Sequence, residues 1–139
     1  MHAVRMDLTD IERDYLATQL LARLATVGPK NDPQNNPVTF TYNAEIGTFD
    51  IRGWNLAKSR KYRNVQGNDQ VALVIDDLAS VNPWKARGIE IRGRAETVVD
   101  GDFPPGAPYD SDAIRVHPHT IFTWGLDPDA EGMTKRTAE

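Results

Sequence analysis

Thr48-Phe49-Asp50-Ile51-Arg52-Gly53-Trp54, then Lys58-Ser59-Arg60-Lys61-Tyr62-Arg63, then Val71-Ala72-Leu73-Val74-Ile75: this stretch decides how the chain is read. Its first part alternates apolar and polar residues, as a half-buried strand does. Its second part predicts a short helix over residues 59–66, with Ser59 as N-cap and Gly67-Asn68-Asp69 as the stop. Its third part is a continuous apolar run, the pattern of a strand buried on both faces. Strands dominate the reading and most connections are short, which argues against a parallel α/β sheet.

Outward from there, Val38-Thr39-Phe40-Thr41-Tyr42 is β-branched and aromatic, and it predicts a strand that pairs with residues 48–54 as a hairpin. Upstream, Thr9 and Glu12 have the spacing of a capping box and predict a helix over 10–19. Residues 21–27 read as the first strand, and 29–37, rich in Asn and Pro, as a turn region. Downstream, Asp76-Asp77 reads as the end of a strand, and 76–87 as a connection carrying Pro83-Trp84. Residues 88–99 predict a long strand with Gly93 at a bulge. Residues 100–112 read as an exposed loop, 114–124 as the last strand with Pro118 as its weak point, and 127–139 as a polar tail that frays or docks. Six antiparallel strands with a helix in front and a short helix inside argue for a mainly β Greek-key or split barrel.

With 139 residues the chain is expected to be one domain, 1–139. Its net charge of −4 argues against a nucleic-acid partner held by bulk electrostatics. It has no cysteine, which excludes disulfides, thiolate nucleophiles and cysteine-ligated metal centres. No apolar run approaches a membrane span, and the opening residues lack the apolar core of a signal peptide, so no membrane partner and a cytoplasmic location are expected. P-loop, GxSxG and GxGxxG patterns are missing.

The sharpest electrostatic feature is residues 58–63, where Lys58, Arg60, Lys61 and Arg63 cluster at a predicted helix start in an acidic chain. Cations in a first helical turn oppose the helix dipole, and an anion bound there offsets that. The competing reading is a solvated face paired with Asp69, Asp76 or Asp77. Arg87, Arg92 and Arg94 form a second positive stripe, open either to an acidic cofactor tail or to pairing with Glu90 and Glu96. His117 and His119 flank Pro118 without an evident third ligand, so no metal site is expected. Trp54, Trp84 and Trp124 read first as packing residues.

Ser59-Arg60-Lys61 after the 48–54 strand, followed by Asn64-Val65, Gly67-Asn68 and the 71–74 run, resembles the pyridoxamine 5′-phosphate oxidase-like split-barrel family. Arg23 to Val27, Asn35 to Phe40, Pro83-Trp84, Arg87 to Ala95 and His117 to Gly125 resemble a branch assigned to the deazaflavin coenzyme F420. The resemblance implies a six-stranded antiparallel split barrel, paired as a homodimer with two cofactor sites along the interface. It implies that Arg60 and Lys61 hold the cofactor phosphate with help from Ser59. Arg52 and Gly53 would run along the ring, Val38, Thr39 and Phe40 would lie beneath it, and Trp124 would close the site of the other subunit. The chain lacks the substrate-phosphate motifs of the pyridoxamine phosphate oxidases proper, so vitamin B6 oxidation is not implied.

The function expected from this resemblance is hydride transfer from F420 to a small conjugated acceptor such as an enone or quinone. FMN as the cofactor of the same fold is the first alternative. A non-catalytic protein that stores a flavin, a deazaflavin or haem is the second, and a barrel with no cofactor the last. No side chain stands out as a catalytic acid, which leaves the proton to solvent, Tyr42 or Tyr62.

Overall fold

A computed structural model of the chain describes residues 5–99, 101, 103 and 111–138. The Thr9–Glu12 capping box is present in both directions, Thr9 Oγ1 accepting from the Glu12 N–H and Glu12 from the Thr9 N–H. It starts helix α1, Asp10–Leu16, which buries Tyr15 and Leu16. The helix is shorter than the expected 10–19. Thr18 turns its hydroxyl back onto the Tyr15 carbonyl at 2.6 Å, and the chain leaves the helix there.

Eight strands follow rather than six: β1 Ala22–Val27, β2 Pro33–Val38, β3 Thr41–Asn43, β4 Thr48–Ile51, β5 Gln70–Ser80, β6 Lys85–Val98, β7 Ala113–Trp124 and β8 Met133–Thr137. A 3-10 turn, Leu56–Lys58, and helix α2, Arg60–Gly67, lie between β4 and β5. All pairings are antiparallel, in the order β2-β1-β5-β6-β7-β4-β3. The edge strands β2 and β3 are joined by Thr39 and Phe40 alone, which can span roughly 11 Å from Val38 to Thr41. So short a link requires the sheet to curl until its two edges meet. Because no ladder joins β2 to β3, the result is a split barrel.

Inside the curl, Leu24, Phe49, Ile51, Leu73, Ile75, Ile89, Ile91, Ile114, Val116 and Ile121 form a fully buried core. They come from alternate positions of five strands, as the two-residue period of a strand demands, with Ile121 brought into phase by the extra residue where β6 and β7 shift register. The 71–75 run is buried on one face only, since Ala72 and Val74 are half-buried on the other. Gly93 sits at the predicted irregularity: β6 and β7 shift register there, and a Cβ at Gly93 would lie 2.3 Å from the His117 carbonyl oxygen.

Three expectations for the ends of elements change. Residues 33–37 are a strand and not a turn, because β1 supplies the ladder. Asp76-Asp77 does not end β5, which continues to Ser80 and forms a hairpin with β6 through residues 81–84. The polar tail contains β8, which pairs with β7 from Thr120 to Trp124, while β4 takes the same edge of β7 at Ile114 to Val116. Most of the loop expected at 100–112 lies outside the described residues.

Candidate functional site

Helix α2 is fixed from beneath and charged on top. Ser59 caps it, accepting from the Tyr62 N–H at 3.3 Å and donating to the Leu56 carbonyl at 2.6 Å. Its hydroxyl hydrogen is therefore used locally. Tyr62 and Val65 enter the core. Buried Asn64 donates from Nδ2 to Thr26 Oγ1 and to Gln34 Oε1, both at 3.0 Å, which ties the helix to β1 and β2. These contacts leave Arg60 and Arg63 exposed and Lys61 half-buried.

Among the described residues, none of Lys58, Arg60, Lys61 and Arg63 has a carboxylate within 4 Å. The carboxylates considered as their partners are taken: Asp69 by Arg94 at 2.8 Å, Asp76 by Arg23 at 3.3 Å and Asp77 by Arg87 at 2.7 Å. The surface pairing of the competing reading is thus absent at this run among the described residues. Arg63 makes one longer contact, Nη1 donating to the Lys58 carbonyl at 3.3 Å. The second stripe, by contrast, is neutralised. Besides the Asp77 and Asp69 pairs of Arg87 and Arg94, Arg92 holds Glu90 at 3.2 Å. Glu96 pairs with His117 at 2.7 Å.

Arg52 and Gly53 directly follow β4, whose last residue, Ile51, pairs with Ile114 on β7. The Arg52 guanidinium lies over the Phe103 ring at 4.3 Å. At Gly53 an added Cβ would meet only the Leu56 side chain, at 3.8 Å, so the backbone there is open to approach. Behind it, Asp50 is gripped in two-pronged fashion by Arg115 at 2.8 and 3.2 Å. Of the 38–40 segment, Val38 is in the core, Phe40 is half-buried with its ring 6.4 Å from that of Phe49, and Thr39 is exposed on the link across the split.

Trp124 stands apart from all of these within one chain. It pairs with Gly88 and lies so close over it that a Cβ at Gly88 would be 2.5 Å from the indole. From Ile114, level with Ile51, to Trp124 is roughly 30 Å of strand. Trp54 and Trp84, expected to pack, are exposed at 75% and 69%. Of the two tyrosines left open as proton donors, Tyr62 is buried in the core and the Tyr42 hydroxyl accepts from the Leu8 N–H at 3.3 Å. His117 and His119 are engaged separately, with Glu96 and Thr120.

A groove of about 700 Å3 runs between α2 and the β1–β2 turn, lined by Arg60, Arg63, Gly28, Asn31 and Asn68 among others. Sequence reading singled out Arg60 and Arg63 as cations, but not the opposite wall at residues 28–31. Residues 28–31 and 60–68 are brought near each other by the Asn64 bonds to Thr26 and Gln34 together with the packing of Tyr62 and Val65, and no local pattern announces that.

The family model for pyridoxamine 5′-phosphate oxidase matches residues 8–125. The 5a,11a-dehydrotetracycline/5a,11a-dehydrooxytetracycline reductase of Streptomyces rimosus is 40% identical over 124 residues, covering 89% of this chain and 87% of the relative. Among solved structures, one described as an F420 reductase matches with a TM-score of 0.56 and 26% identity, over 74% of this chain and 89% of its own. HupZ of group A Streptococcus matches with a TM-score of 0.70 and 19% identity, over 89% of this chain and 99% of its own. That last likeness concerns the fold alone.

Proposed function

This chain belongs to the pyridoxamine 5′-phosphate oxidase family and is an oxidoreductase, and from that premise we propose that it is an F420-dependent reductase of a conjugated carbon–carbon double bond. The observation that carries the proposal is the set of unneutralised cations at α2. Arg60 and Lys61 would hold the cofactor phosphate, with Ser59 shaping the helix start that presents them. Arg52 and the open backbone at Gly53 would receive the ring edge, and Thr39 and Phe40 would support the ring from the neighbouring link, with Val38 packed behind them.

These residues suit a phosphorylated ring cofactor: cations for the phosphate, open backbone for a flat ring, and no competing carboxylate at the cations among the described residues. A bound deazaflavin supplies hydride from its ring carbon. The chain's part is to anchor, orient and limit solvent access. Tyr62 is buried, while Tyr42 accepts from the Leu8 N–H and keeps its own hydroxyl hydrogen, so solvent and Tyr42 are the proton sources left to complete the reduction. The relative from Streptomyces rimosus is named for reducing dehydrotetracyclines, and a dehydro compound is reduced by adding one hydride and one proton. That supports a conjugated acceptor for this chain too.

The working unit would be a homodimer. Trp124 lies ten residues along β7 from Ile114, the partner of Ile51, so its part in closing a site would be played in a second copy. Exposed Trp54, Trp84 and Val81 add apolar surface for that contact.

Parallel titration with F420 and with FMN, followed by tryptophan fluorescence, tests the reading. Tighter binding of F420, with reduced F420 consumed by an enone acceptor, is the expected result. Preference for FMN moves the protein to flavin chemistry. Binding without turnover of any acceptor favours storage.

A further inference from the structure

We propose that Gly88 is a positioning residue, whose missing side chain makes the slot that holds the Trp124 indole flat against β6. This role rests on the dimeric cofactor reading above, in which Trp124 closes the site of the other copy, and it concerns what sets that ring in place.

A glycine inside a long strand calls for a reason, because it gives up side-chain packing and loses more backbone freedom on folding than other residues. Gly88 lies within β6, Lys85–Val98. Among the described residues, glycines with positive φ are Gly47, Gly125 and Gly132, so the backbone at Gly88 imposes no need for glycine. Space does. A Cβ at Gly88 would lie 2.5 Å from Trp124 Cζ2, 2.7 Å from Trp124 Cε2 and 2.8 Å from Asp76 Cβ. Asp76, Gly88 and Trp124 stand opposite one another across β5, β6 and β7. The indole therefore takes the gap that a side chain on the middle strand would fill. Gly125 closes the slot from the next position. Its φ is +68°, and a Cβ there would strike the Ala86 carbonyl, so the chain turns tightly against β6 directly after Trp124.

The neighbouring aromatic on this face is held differently. Phe122, two residues earlier on β7, stands opposite Glu90 and not a glycine. Its ring is covered by the Arg92 guanidinium at 4.6 Å and approached by the Lys135 ammonium at 5.7 Å. Trp124 has no cation over its ring among the described residues. It is half-buried, whereas Trp54 and Trp84 project into solvent. A side chain fixed before its partner arrives loses less freedom on binding than one ordered at that moment. Gly88 thus prepares in one chain a surface that the other chain uses.

Two measurements test this. In the first, Trp54→Phe with Trp84→Phe leaves Trp124 as the single tryptophan, and time-resolved fluorescence anisotropy is recorded without cofactor. Depolarisation at the rate of whole-molecule tumbling is expected, and a dominant sub-nanosecond component overturns the slot. In the second, Gly88→Ala is titrated with F420. Affinity should fall by roughly two- to tenfold, because the displaced indole must be ordered again on binding.

Mixed with Lys61→Ala subunits and allowed to exchange, the Gly88→Ala protein should regain tight sites, since one site of the mixed dimer has Lys61 and an undisturbed Trp124. Mixed with Trp124→Ala subunits it should not. Wild-type affinity in Gly88→Ala overturns the positioning role and leaves the dimer reading intact. So does a lack of recovery with Lys61→Ala where Lys61→Ala and Trp124→Ala subunits restore each other. If that last pair also fails, with exchange verified, the dimer reading has failed and the role of Gly88 falls with it.

Discussion

Asn64 on α2 donates its amide hydrogen to the Thr26 hydroxyl of β1 at 3.0 Å, and both side chains are buried. Through this bond, with its companion to Gln34, the position of the cationic helix depends on the sheet. Asn64→Ala strands buried polar groups and is expected to cost about 1–3 kcal/mol in urea unfolding. Phosphate-bearing cofactor should bind more weakly in the same variant, even though Asn64 is not a phosphate contact. Unchanged stability would remove the tie.

Lys61→Ala should fold normally and lose about 1.5–3 kcal/mol of cofactor affinity, the range for a charged hydrogen bond. Added salt should weaken the wild-type complex more steeply than the variant's, since the contact is only partly shielded. Equal affinities in fluorescence titration would take Lys61 out of the site.

A Trp124→Ala protein and a Lys61→Ala protein, each a poor binder alone, should regain sites when mixed and allowed to exchange subunits. In a mixed dimer one site then has both residues intact. Failure to regain any binding, with exchange verified by native mass spectrometry, would place Trp124 outside the partner's site.

Arg136 on β8 reaches both carboxylate oxygens of Glu12 on α1, and Glu12 is buried. Arg136→Met leaves that carboxylate with its capping role alone. The expected loss is about 2–3 kcal/mol, below the figure for a fully buried pair because Arg136 is partly in solvent. The denaturant midpoint measures it, and faster amide exchange across 133–137 should accompany it.

Asp77 accepts from Arg87, Tyr15 and Gln19. The Arg87 bond, ahead of the others, lowers its carboxyl from 3.8 to about 2. A carboxylate depressed in the folded state contributes its stability above the unfolded value and loses it as pH falls through the folded one. Stability should therefore drop between about pH 4 and pH 2, and drop less steeply in Asp77→Asn. Parallel curves for the two proteins in acid titration would show that Asp77 is not held low. Tyr15 is pushed upward by burial and then by its bond to Asp77, so it stays neutral throughout this window.

What could be read in the sequence was what neighbours in the chain decide. Thr9 with Glu12, and Ser59 ahead of α2, are local hydrogen-bond devices, and both stand where expected. Strand β2 was not legible, since Pro33-Gln34-Asn35-Asn36-Pro37 has almost no strand propensity. It forms because it is an edge strand, where prolines are tolerated, and because β1 offers the pairing groups. Strand β8 is polar for the same reason. At the site, the cations of 58–63 are evident from type and spacing. Their lack of a carboxylate partner among the described residues is not, because it depends on Arg23, Arg87 and Arg94 claiming the carboxylates from a distance.

The divided outer edge of β7 has a consequence for how the protein is handled. From Thr120 to Trp124 the backbone is covered by β8 alone, and β8 is five residues joined by a turn. Should it peel away, the rest of the barrel keeps its ladders, but β7 then offers an unprotected rim to any extended chain nearby. The last strand is in this sense the molecule's own guard against aggregation. A tag fused close behind it, or a truncation before Met133, should first show itself as clumping and not as unfolding.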